Sequence, residues 1–139
     1  MKKKVKGITG LCLVVALALV GVERYAQAGT MPLGIVGNDG NVYYTTCSSS
    51  IGKTSGSAYT AETGSSKCHC SVSATFTWKD SNGNVLYSNG NGAGGMHGAS
   101  VSMNYTGDAS KVGAANVSAT HTVNVTGGGY GNCSTSDSW

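Results

Sequence analysis

The sequence predicts an all-β protein: a small antiparallel β-sandwich, stapled by disulfides and preceded by a signal peptide. Three observations lead there. Several segments alternate apolar and polar residues with a strict period of two. No segment carries a helical period. Four cysteines lie beyond an N-terminal leader of the export type.

The leader comes first along the chain. Lys2, Lys3, Lys4 and Lys6 form a basic n-region of the bacterial kind, and residues 11–20 are an unbroken apolar run. Ala26-Gln27-Ala28 supplies the small-x-small pattern of a signal peptidase site, so residues 1–28 read as a Sec-type signal peptide. The apolar run is shorter than the roughly 20 residues of a membrane span. Residues 29–139 are then one secreted domain, with no membrane span in the mature protein.

Removing the leader reverses the charge argument. The whole chain carries a net charge of +3. Beyond residue 28 there are four lysines (53, 67, 79, 111) against five acids (39, 62, 80, 108, 137), a net charge of −1. Nothing there is basic enough to attract nucleic-acid phosphates. Gly, Ser, Thr and Asn make up more than half of this part. So few large apolar side chains leave a thin core, which cross-links would reinforce.

The strands follow in order. Short strands are expected at 34–36 and 42–47, and another at 57–62. Residues 70–78 place Cys70, Val72, Ala74, Phe76 and Trp78 on one face and Ser71, Ser73, Thr75 and Thr77 on the other. Asn82-Gly83 is a strong tight-turn dipeptide, and 85–87 begins the return strand. The same alternation marks 99–105 and 117–125. The glycine-rich stretches 90–98 and 126–131 read as long flexible loops. Six or seven strands, each with one apolar face, imply two sheets packed face to face, immunoglobulin-like in outline, with Trp78 as the largest core candidate.

Cys47, Cys68, Cys70 and Cys133 are the disulfide candidates. On one strand, Cys68 and Cys70 point to the same face about 6.5 to 7 Å apart, a poor geometry for a bridge between them. Two pairings remain: Cys47–Cys68 with Cys70–Cys133, or Cys47–Cys70 with Cys68–Cys133. Cys-His-Cys is too tight for a structural zinc site, and His69 points away from both thiols in a strand. No metal or other cofactor is therefore expected.

The sequence points to no enzyme. Asp39, Asp80 and Asp108 sit in turn motifs, where Asp is a good turn former. His121 lies on the apolar face of its strand and reads as a hydrogen-bonded core residue. No serine occupies a nucleophile elbow. The expectation is a secreted, non-catalytic protein that acts by binding an extracellular partner, a glycan, the cell envelope or a protein. Tyr130 and Trp139 are the candidate ligand contacts, as aromatic side chains near the glycine-rich C-terminal part. The alternatives are a secreted antibacterial protein, similar in size and composition to bacteriocins of the lactococcin kind, and a matrix or surface-layer subunit.

Overall fold

The computed structural model describes residues 27–64 and 67–139. The expected signal peptide, residues 1–28, lies outside the described residues except for Gln27 and Ala28.

Among the described residues, nine strands build two sheets. In chain order they are β1 (Gln27–Ala28), β2 (Thr30–Val36), β3 (Val42–Ile51), β4 (Ser55–Thr63), β5 (Cys68–Lys79), β6 (Val85–Met96), β7 (Gly98–Asn104), β8 (Ala114–Val125) and β9 (Tyr130–Ser138). One sheet has the order β1-β9-β8-β5-β6 and the other β2-β3-β4-β7. Every pairing is antiparallel except that of β1 with β9. This is the expected β-sandwich.

Strand β5 carries the alternation through twelve residues. Cys68, Cys70, Val72, Ala74, Phe76 and Trp78 are all buried. Trp78 stacks on Phe76 and Tyr105, with centroids 6.4 and 5.8 Å away, and its indole N–H donates to the Gly52 carbonyl at 3.1 Å. That bond satisfies the one polar atom of the largest core side chain. Gly56 lies directly over the Phe76 ring, where an added Cβ would come within 2.7 Å of it. Close approach of β4 to β5 therefore requires glycine here.

The hairpin after β5 closes as the Asn82-Gly83 dipeptide predicts. Gly83 has φ of +86°, and Asp80 Oδ1 accepts the N–H groups of Asn82 and Asn84 at 2.8 and 2.9 Å. Asp39 organises the β2–β3 turn in the same way, accepting from the Asn41 N–H at 3.1 Å. Asp108 caps a single 3-10 turn, Ala109–Lys111.

Two expectations about loops are corrected. Residues 90–96 are not a flexible loop: β6 pairs with β5 along their whole length, and the chain turns only at His97, whose φ is +69°. Glycine composition hid a strand whose regularity comes from its partner's ladder. The second glycine stretch turns within residues 126–129, and β9 starts at Tyr130.

Candidate binding surfaces

The cysteines depart from both expected pairings. Cys47 on β3 bonds Cys133 on β9, which links the two sheets at one side of the sandwich. Cys68 and Cys70 are free and buried. The reason is lateral distance. Strand β8 lies between β5 and β9, so Cys68 and Cys70 are about 10 Å from the β9 strand at the usual strand spacing. They pack instead with Ile35, Tyr43, Val123 and Val125, whereas Cys47 and Cys133 pack with Met31.

The two free thiols are poor nucleophiles. Burial, with the hydrogen-bonded Glu62 carboxylate beside it, pushes the Cys68 thiol up to about 12. Burial and the same charge raise Cys70. Both are protonated at neutral pH and lack the thiolate that catalysis needs.

Glu62 has a structural place here. Its N–H donates to the His97 carbonyl at 2.8 Å, and the His97 N–H donates to the Cys68 carbonyl at 2.9 Å. The Cys68 N–H returns to Glu62 Oε2 at 3.2 Å, and His97 Nδ1 lies 3.5 Å from the same oxygen. This closed triangle ties the end of β4 to the start of β5 and to the turn where the chain crosses between sheets. Among the described residues, no group of three or more His, Cys, Asp or Glu side chains is placed to hold a metal ion.

His69 points outward, as alternation requires. It is aligned across the sheet with Met96 on β6 and Asn124 on β8, and Asn124 is aligned with Tyr130 on β9. The outward rows that follow on β5, β6, β8 and β9, from Ser71 to Thr77 on β5, contain only Ser, Thr, Asn and Gly.

Tyr130 and Trp139 are both exposed, at 60% and 49%. They do not share a site. Tyr130 is opposite Asn124, while Trp139 exchanges two backbone hydrogen bonds with Ala115. Nine residues along β8 separate those partners, or about 30 Å of strand. Trp139 instead belongs with the β3–β4 turn. Lys53 Nζ lies 5.8 Å from its ring centroid, and Asp137 Oδ2 accepts the Ile51 N–H at 3.0 Å.

Beside that turn is a depression of about 470 Å³ on the outer face of the four-stranded sheet. Ser50, Ser57 and Ser102 cross it in one register row, and Ser55 and Asn104 form the next. Gly52 and Gly56 also border it, and no charged residue lines it. Hydroxyl and amide groups can both donate and accept, which suits a neutral polyhydroxylated ligand. Sequence reasoning missed this site. In a chain this rich in serine, outward serines at alternate positions look like ordinary strand surface; only the register lines up three of them.

No protein-family model, curated protein or solved structure matches this chain.

Proposed function

We propose that this is an extracellular, non-catalytic protein that binds a neutral glycan at the serine-lined depression, with Trp139 stacking beside it. The observation that carries the reading is the Ser50–Ser57–Ser102 row, together with Ser55 and Asn104, in a concave site without charge. A sugar ring offers hydroxyls to such a row and an apolar face to an exposed indole. Export through the residue 1–28 leader belongs to the proposal, and a cross-link between Cys47 and Cys133 fits an oxidising compartment.

Tryptophan fluorescence tests it, because Trp78 is buried and Trp139 exposed. Titration of the mature protein with neutral oligosaccharides should shift the Trp139 emission. Ser57→Ala with Ser102→Ala should weaken binding about tenfold, the loss of one or two hydrogen bonds. Absence of any shift with neutral glycans, or an unchanged affinity in the double variant, would contradict the reading.

A further inference from the structure

Strand β6 is one edge of the five-stranded sheet, the two-residue β1 being the other. Its twelve residues, Val85–Met96, include no charged residue and no proline, the usual devices that stop a second chain from pairing with a sheet edge. Most of the strand is exposed. Such an edge invites strand addition unless something occupies its outward donors.

The outward donors can be identified from the ladder. His97 N–H donates to the Cys68 carbonyl, in the same register in which Met96 faces His69 and Asn91 faces Ala74. Odd-numbered residues of β6 therefore direct their N–H toward β5, and even-numbered ones direct it away, because antiparallel ladders alternate. Gly90 and Gly92 are in the outward set. Their N–H groups donate to the side chains just before them: Gly90 to Asn89 Oδ1 and Gly92 to Asn91 Oδ1, each at 2.9 Å. Asn89 is further held by its amide, which donates to the Tyr87 hydroxyl at 3.2 Å.

We propose that Asn89 and Asn91 lock the β6 edge: each side-chain oxygen occupies the outward N–H of the following glycine, so that a strand from a second copy cannot pair there. Two consecutive outward donors are blocked in the middle of the strand. An incoming chain would have to displace both amides before its first pair of ladder bonds formed. The lock explains how a secreted sheet can do without charges on its edge.

Two measurements on the mature protein test it. First, amide exchange, corrected for intrinsic rates, should be at least tenfold slower at Gly90 and Gly92 than at Gly94, an outward donor that follows Ala93. Equal rates at the three glycines would overturn the proposal. Second, Asn89→Val with Asn91→Val removes both acceptors while favouring the strand conformation. The double variant should keep the wild-type circular dichroism and form dimers or larger assemblies at concentrations where the wild type sediments as a monomer. Asn116→Val with Asn124→Val makes the same change on the central strand β8 and should remain monomeric. Assembly of both double variants to the same extent would assign the effect to added apolar surface and overturn the proposal. So would a monomeric Asn89/Asn91 variant, or a wild type that already assembles through β6.

Discussion

His121 Nδ1 lies 2.8 Å from Thr60 Oγ1, a bond that crosses the core from one sheet to the other. Thr60 spends its single hydroxyl proton on the Ser71 carbonyl, at 3.1 Å. The imidazole must therefore donate from Nδ1, which leaves Nε2 to accept from Thr135 Oγ1 at 2.8 Å. One fully buried, neutral histidine is thus satisfied on both nitrogens, and its tautomer is fixed by the threonines around it.

That arrangement makes stability depend on pH. Burial lowers the His121 pKa from 6.5 to about 4. A depressed folded-state value means that the unfolded chain takes up the proton first. The contribution is full above pH 6.5, declines as the pH falls through the window from 6.5 to about 4, and is gone below it. The loss amounts to about 3 kcal/mol. Asp39, Asp80 and Asp108, held low mainly by hydrogen bonds from Tyr43, Asn84 and Ser110, add their losses only at more acidic pH. Urea unfolding at pH 7.5, 6, 5 and 4 should show the decline, and His121→Gln should flatten it between pH 6.5 and 4.

Thr60→Val keeps the shape of the side chain and removes the acceptor. It leaves the Nδ1–H of His121 buried without a partner, at a cost of about 1–3 kcal/mol. Chemical denaturation of the variant at neutral pH measures it. Tyr59→Ser, a change at an exposed neighbour on the same strand, should cost less than about 1 kcal/mol.

The bridge between Cys47 and Cys133 spans 86 residues. Replacing both by alanine releases a long loop in the unfolded chain, worth about 4.6 kcal/mol in the chain-entropy model. In a domain with so little apolar volume, that variant should melt many degrees lower or be unfolded at 37 °C. Calorimetry of the double variant beside the wild type decides the point.

Backbone constraints give a further pair of expectations. Gly56→Val would drive a branched side chain into the Phe76 ring, and should cost about 3 kcal/mol or prevent folding. Gly83→Val forces a β-branched residue to φ of +86°, and should cost about 1–3 kcal/mol. Thermal melts of the two variants should therefore fall in that order.

Much of the fold was legible because burial on one face imposes a period of two. The Cys70-to-Trp78 alternation, the Asn82-Gly83 turn and the inward position of His121 all follow from local rules that the structure obeys. The end of β6 was not legible, because glycines at 90, 92 and 94 carry no side chain to alternate. The cysteine pairing was not legible either. It depends on which strands are neighbours, and β8, distant in sequence, inserts between β5 and β9. The candidate binding site was hidden for the same reason: Ser50, Ser57 and Ser102 become neighbours only through the register of β3, β4 and β7.

One cross-link between the sheets, with no help from Cys68 or Cys70, staples a thin β core. Alkylation of the unreduced mature protein, before and after denaturation, followed by peptide mapping, tests this most directly. The native protein should take up no label, and the denatured protein should take it up at Cys68 and Cys70 alone, with peptides containing Cys47 and Cys133 recovered as a linked pair. Recovery of Cys68 or Cys70 in a disulfide with either of the other two would contradict it.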